Sequence, residues 1–439
     1  MKFLKRTIAI LLTLMIVSGS FVCFAAENEK QYHKYEKYVL LGDSEASGYR
    51  DYEYRMTEFT YAPDSYSDFL SKDLGAELVP LACPGFRTIE LRYILDDNYV
   101  TQDKYLFGAV PNTSKEQIDA MIPEIRKEIA DADLITIGIG GNDWGGYLGW
   151  VLTEIRSENR LPEDYIVALE EYLATATTDD DIIGGLVDLA NYMNALPDLV
   201  KIMPEAIAYA FTTLNENWDY IVNAIYDLNP DVTLVVVGLF NTTLSTKQGQ
   251  PDIVAEPDPI SAKVEQMIVD YGNKPMIDKQ SEYNYIYVDT TGTIVEVSHP
   301  TVTGHRFIAD RILEELPDAR FDLTDVKIGT SEYKAVEYMY VNGLMTGNAD
   351  KTFGGNAYIT KDEFATVVNG LGSTLPVIGF GNNISKFELR LAAFMLDDDK
   401  SITDFFTFIG EVCTMLATFT TTEKVTKNQV AVDLYEVIK

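Results

Sequence analysis

The stretch Lys37-Tyr38-Val39-Leu40-Leu41-Gly42-Asp43-Ser44 decides the reading of this chain. A short, largely apolar run ending in a turn signal reads as a strand buried on both faces, the kind that parallel sheets contain. The residues around it extend the pattern. Ser65–Leu74 has helical spacing through Tyr66, Phe69 and Leu70, and Glu77–Ala82 reads as a second strand ending at Pro84-Gly85. Ser114–Ala130 predicts a helix with Ile118, Met121, Ile122, Ile125 and Ile129 on one face. Leu134–Ile139, Val232–Gly238 and Tyr285–Val288 complete five predicted strands. Strands alternating with helices imply a parallel sheet covered on both faces, and such sheets bind ligands beyond the C-terminal ends of their strands.

The chemistry-bearing residues stand at those ends. The chain has three histidines, His33, His299 and His305. His33 lies near the start and His305 is expected to open the last helix of this region. His299 follows the fifth strand in the loop Ser298-His299-Pro300, at the height of Ser44. An imidazole suits removal of a hydroxyl proton near neutral pH, so Ser44 and His299 form a candidate nucleophile and base. Gly-Asp-Ser alone is a frequent turn, in which Asp43 or Ser44 need only cap a helix. The usual Gly-x-Ser-x-Gly elbow is absent, because position 46 is Ala. The argument rests on the four strand ends together. A tetrahedral oxyanion needs donors aimed at one point, and the N–H groups of Ser44 and Gly85 with the Asn142 amide offer them. Three scattered histidines make no metal-ligand set, so no metal or other cofactor is expected.

Four blocks, Leu41-Gly42-Asp43-Ser44, Pro84-Gly85, Gly140-Gly141-Asn142-Asp143-Trp144 and His299-Pro300 with Gly304-His305, resemble the SGNH (GDSL-type) hydrolase family in order and spacing. The resemblance covers about residues 35–318. It implies a flavodoxin-like three-layer α/β/α fold with a five-stranded parallel sheet. It also implies a Ser44 nucleophile, a His299 base and an oxyanion hole from Ser44, Gly85 and Asn142. The family usually has Asp three residues before the histidine. Here that position is Glu296, which either orients the imidazole or leaves a Ser–His dyad; Asp289 is a weaker substitute.

Within this region 145–204 is too long for a plain crossover and reads as a helical insertion that caps the site, followed by a crossover helix over Ala206–Leu228. Its apolar side chains, such as Leu186, Leu189, Met193, Leu196 and Ile202, read as internal packing rather than an acyl pocket.

Residues 1–25 read as a signal peptide, with Lys2, Lys5 and Arg6 before the apolar run Ile8–Val17 and small residues near Ala26. No later stretch is long and apolar enough to span a bilayer. Cleavage after Ala25 takes the formal net charge from −33 to −36, which argues against nucleic acid or anionic membranes as partners. The remaining cysteines, Cys83 and Cys413, are expected as free thiols.

From Asp325 the pattern changes. Residues 325–439 are expected to form a smaller, mainly helical domain. Three phrases recur: Ile359-Thr360-Lys361-Asp362-Glu363, Ile384-Ser385-Lys386-Phe387-Glu388 and Val425-Thr426-Lys427-Asn428-Gln429. Each has a hydroxyl followed three residues later by Glu or Gln, a capping-box signature, and together they suggest a degenerate repeat. Asp325–Leu371 resembles an S-layer homology domain. That resemblance implies attachment to an anionic secondary cell-wall polymer, with Lys361, Lys386 and Lys427 facing it. These lysines replace the usual arginine and lack its bidentate fork.

The combined expectation is a secreted serine ester hydrolase held at a Gram-positive-type cell wall, acting on an acylated carbohydrate or a small or lipid-type ester. The alternative is a non-catalytic wall- or carbohydrate-binding protein on the same scaffold, which the Glu296 departure favours.

Overall fold

The computed structural model describes residues 30–50, 59–101, 103, 106–107, 114–143, 197–242, 259–296, 298–330, 332–371, 383–386, 389, 392–393 and 424–438. The expected signal peptide, most of the expected insertion, Trp144, Glu388 and Cys413 lie outside them. The chain divides into two compact units, Lys34–Leu316 and Met1–His33 with Pro317–Lys439. The second unit includes the start of the described chain because Ala319 N–H donates to the Gln31 carbonyl and Tyr32 bridges Asp318.

In the larger unit the elements run β1 (Lys37–Gly42), α1 (Ser44–Ser47), α2 (Tyr66–Leu74), β2 (Glu77–Ala82), α3 (Thr88–Leu95), α4 (Lys115–Ala130), β3 (Leu134–Gly138), α5 (Pro197–Leu228), β4 (Thr233–Val237), α6 (Pro259–Tyr283), β5 (Ile286–Val288) and α7 (Val302–Glu315). The five strands form one parallel sheet in the order β2-β1-β3-β4-β5. This is the doubly wound, flavodoxin-like order. After β1 the chain goes to one side for β2 and returns to the other for β3. The crevice at that reversal opens beyond Gly42 and Gly138, which are register partners.

Side-chain alternation builds the three layers. Val39, Leu41, Ile135, Ile137, Leu234 and Val236 point to one face, where they join Leu91 and Ile94 of α3, Ile118, Ile125 and Ile129 of α4, and Trp218, Ile221 and Ile225 of α5. On the opposite face Tyr38 and Thr136 share a buried hydrogen bond of 2.6 Å, and α2 packs with α7. Ser65 and Ser114 cap α2 and α4 with their side chains.

Two boundaries differ from expectation. The crossover helix begins at Pro197, not Ala206, and runs past Pro204. A proline at the first helical turn is well tolerated, and one inside costs a single hydrogen bond and about 3 kcal/mol, which a 32-residue helix absorbs. His305 does not open α7. Thr301 is the N-cap, and His305 lies one turn inside, fully buried.

The smaller unit contains α8 (Tyr333–Val341), α9 (Lys361–Gly370) and α10 (Lys427–Ile438). The three recurring phrases pair with one another through the bridges Tyr358–Thr426, Thr360–Asn383 and Ser385–Lys424. Between the bridges, Ile359, Ile384 and Val425 are buried in one core with Val336, Phe364 and Val430. The recurrence in sequence is therefore a recurrence in space. Thr360 and Glu363 form a full capping box, and Thr426 accepts from Gln429 N–H at 3.3 Å.

Candidate active site

Ser44 is the first residue of the four-residue helix α1. Asp43 caps that helix, its carboxylate accepting the Glu45 N–H at 3.0 Å. Gly42 sets the entry. Its φ is +135°, and a Cβ there would lie 2.0 Å from the Gly138 carbonyl oxygen, so no side chain fits. The chain turns sharply off β1 and presents Ser44 half-buried at the crevice. As the first helical residue, Ser44 has a backbone N–H without an intrahelical acceptor.

The histidine arrives from the loop after β5. Two backbone hydrogen bonds close that loop, Glu296 N–H to the His299 carbonyl and Thr301 N–H to the Ile294 carbonyl, each 3.0 Å. His299 Nε2 stands 2.9 Å from Ser44 Oγ, across 255 residues of sequence. On the other side of the ring, Nδ1 is 3.0 Å from Ser298 Oγ. The Tyr49 ring lies against the imidazole, centroids 4.6 Å apart. For Nε2 to accept the Ser44 proton, Nδ1 must carry its own hydrogen, and Ser298 Oγ is placed to accept it.

Glu296 is 8% exposed and sits in the same closed loop as His299. Asp289 is exposed and caps its own turn by accepting the Thr291 N–H at 2.9 Å. His305 is pushed down to about 3 by burial and by the nearby Arg50 and His299 charges, so its ring stays neutral. His33 is exposed in the segment that belongs to the other unit.

The loops after β2 and β3 bring Gly85 and Asn142 to the same end of the sheet. Gly85 has φ +85°, in the left-handed region. Asn142 Nδ2 donates to the Phe86 carbonyl at 3.1 Å. An amide nitrogen carries two hydrogens, so one remains for a ligand. Asp143, beside it, accepts from Thr88 N–H at 2.9 Å and from the Thr88 hydroxyl at 2.5 Å. Burial pushes both Asp43 and Asp143 up to about 7. Burial, with Asp43 next to it, holds the Glu45 carboxyl well above the usual range, and its Oε1 has no hydrogen-bond partner among the described residues.

Ser44, Gly85, Asn142 and His299 are thus assembled at one end of the sheet. Sequence reasoning missed Ser298, Tyr49 and Thr88, and also Asn217, whose amide donates to Thr88 Oγ1 at 3.1 Å. Their only sequence signal is adjacency to a block, or helical phase in the case of Asn217. Cys83 is buried one residue before Pro84, its thiol donating to the Pro84 carbonyl at 3.9 Å. In the smaller unit Lys361, Lys386 and Lys427 each start a helical segment. The Lys427 side chain is 13% exposed and pairs with Glu363 at 3.4 Å.

A family model described as GDSL-like lipase/acylhydrolase matches residues 38–312. A second, S-layer homology domain, matches residues 322–365. No curated protein matches the chain. Among solved structures the chain is similar to an extracellular lipase from Streptomyces rimosus (15% identity, 64% of this chain and 99% of that chain, TM-score 0.36). It is also similar to phospholipase A1 from Streptomyces albidoflavus NA297 (15% identity, 64% and 99%, TM-score 0.37). A third is a catalytic mutant of an acetylxylan esterase from Geobacillus stearothermophilus (14% identity, 64% and 94%, TM-score 0.31).

Proposed function

The chain belongs to the GDSL-like lipase/acylhydrolase family, and from that premise we propose that it cleaves a carboxylic ester through an acyl-enzyme on Ser44. The family makes it a carboxylic ester hydrolase, and the S-layer homology domain marks it as associated with the cell surface. The observation that carries the residue assignment is the 2.9 Å contact between Ser44 Oγ and His299 Nε2.

In the proposed reaction Ser44 Oγ attacks the ester carbonyl carbon as its proton passes to Nε2. The developing oxyanion is held by the N–H groups of Ser44 and Gly85 and by Asn142 Nδ2. Collapse breaks the ester bond, and the imidazolium gives its proton to the departing alcohol. A water then attacks the acyl-enzyme, with His299 taking its proton and returning it to Ser44 as the acid leaves. Glu296 is proposed as the third member. The burial of Glu296 beside the base supports that role, and Ser298 Oγ on Nδ1 offers a second means of holding the ring.

The substrate is proposed as an acylated carbohydrate or a small or lipid-type ester. Export by the N-terminal segment and attachment to an anionic polymer of a Gram-positive-type wall complete the reading. The lysines proposed to face the polymer are Lys361, Lys386 and Lys427, the last of which pairs with Glu363.

The test is turnover of p-nitrophenyl acetate and longer acyl homologues. Ser44→Ala and His299→Ala are each expected to lose at least about 10³-fold in kcat. Glu296→Ala and Ser298→Ala separate a triad from a dyad: the residue that orients the ring costs about 10-fold or more, the other little. A folded wild-type protein no faster than Ser44→Ala on any ester, acetylated polysaccharide included, would leave the non-catalytic binding role in its place.

A further inference from the structure

The proposed oxyanion hole draws two of its three donors, the Gly85 N–H and the Asn142 amide, from the loops after β2 and β3, and its geometry depends on the separation of those loops. Three hydrogen bonds join them. Asn142 Nδ2 reaches the Phe86 carbonyl at 3.1 Å, and the Asp143 carboxylate receives both the N–H and the hydroxyl of Thr88, at 2.9 and 2.5 Å. Asp143 is 3% exposed and Thr88 fully buried. The link continues into the crossover helix. Asn217 Nδ2 donates to Thr88 Oγ1 at 3.1 Å, and Arg92 Nη1 donates to Asn217 Oδ1 at 3.2 Å. Arg92 can only donate, which turns the Asn217 oxygen towards it and the Asn217 amide hydrogens towards Thr88. The Thr88 hydroxyl proton is then directed to Asp143. The hydrogen bonds thus run in one order, Arg92 to Asn217 to Thr88 to Asp143, and tie the segment after β2 to the loop after β3.

We propose that Asp143 is a positioning residue for ester hydrolysis: by holding Thr88, it sets the distance between the Gly85 N–H and the Asn142 amide at which the oxyanion is bound. The proposal rests on the oxyanion assignment made above. Packing alone does not explain this carboxyl, since an apolar residue fills buried volume without the desolvation cost of an acid. The other side of the same loop is anchored independently. Arg87, 1% exposed, forks onto Glu90 at 2.5 and 3.1 Å and onto Asp103 at 3.3 Å. Asp143 supplies what that anchor does not, a tie across the crevice to β3.

The experiment measures kcat and KM on p-nitrophenyl acetate for the full chain, with competent sites counted by end-point phosphonylation of Ser44. Per competent site, Asp143→Ala is expected to lower kcat about 100-fold, with KM within about threefold of wild type. Thr88→Val, which keeps the side-chain shape, is expected to lower kcat about 10-fold and carries the test if Asp143→Ala does not fold. Asp143→Asn is expected to restore most of the rate. Its amide oxygen still accepts the Thr88 N–H, and its amide nitrogen can donate to Thr88 Oγ1. Adding Asp143→Ala to Asn142→Ala should cost little more than Asn142→Ala alone, because the two act on one donor set. A lower Tm with unchanged kcat per competent site would overturn the proposal, and so would full additivity in the double variant. If Asn142→Ala itself keeps wild-type kcat while Ser44→Ala is dead, the oxyanion assignment has failed and the positioning role fails with it.

Discussion

Asp43, Glu45, Asp143 and His305 are titratable side chains buried around Ser44 and His299, and burial keeps each in its uncharged form over part of the ordinary pH range. The carboxyls of Asp43 and Asp143 are pushed up to about 7, and burial holds Glu45 well above its ordinary range. The contribution of Asp43 and Asp143 to stability is complete below the unfolded carboxylate range near 4 and is lost as pH rises through about 7. His305 acts in the opposite sense. Its folded value of about 3 lies below the unfolded 6.5, so stability is lost as pH falls from 6.5 towards 3. Neither ring nitrogen of His305 has a hydrogen-bond partner among the described residues. Replacing it by Leu therefore removes the acid-side loss without stranding a partner. At pH 5 the gain relative to pH 8 is expected to be about 2 kcal/mol, or about 4–8 °C in Tm, read from thermal denaturation at the two pH values. An equal shift at both would show that His305 is not held neutral by its surroundings.

At the scale of elements, the site depends on how the strands end. β1 and β3 lie side by side in register, Gly42 against Gly138, and the turn that carries Ser44 starts in the narrow space between them. The Asp43 N–H donates to the Gly138 carbonyl at 3.0 Å, so the turn is stitched to β3 as soon as it leaves β1. Gly42→Ala puts a methyl group inside contact distance of that carbonyl and demands an unfavourable backbone. It is expected to cost about 3 kcal/mol or more, and with Ser44 displaced from His299 the ester turnover per folded molecule falls as well. Thermal denaturation together with kcat checks both parts. Loss of stability with unchanged kcat would show that β1 can shift without moving Ser44. The long helix α5 makes a related point. It brings Asn217 to the loop after β2 and Trp218 to the core on adjacent residues, so one element supports both the fold and the site.

At the scale of the molecule, a chain with a formal net charge of −33 is proposed to bind an anionic wall polymer. Long-range electrostatics oppose that contact, so the attraction must come from local cations at short range. In a sedimentation assay with isolated anionic cell wall, Lys361→Ala with Lys386→Ala is expected to weaken binding about 10-fold or more. Lys427→Ala should act mainly on stability, because this lysine is largely covered and already paired with Glu363. Raising salt from 0.1 to 0.5 M should weaken wild-type binding in the same direction. A salt-independent association would remove the lysines from the proposal.

Much of this protein was legible before any coordinates. Five strands, their order along the chain, the capped helices and the four strand-end blocks follow from apolar runs, helical spacing and turn residues, which are local properties that a linear sequence carries. The placement of Ser44 just beyond β1 and of His299 in the loop after β5 was legible for the same reason, and histidine is scarce in this chain. The start of α5 at Pro197 was not legible, because a proline looks like a stop until the packing of the rest of a long helix outweighs it. Nor was the depth of His305, which depends on α2 and α7 meeting over the sheet. Above all, sequence could place Asp143, Asn217 and the pair Thr88 and Arg92 on three separate stretches but not in one hydrogen-bonded chain. A hydrogen bond between residues 55 or 129 positions apart leaves no local pattern, and only the closing of the sheet brings its donor to its acceptor.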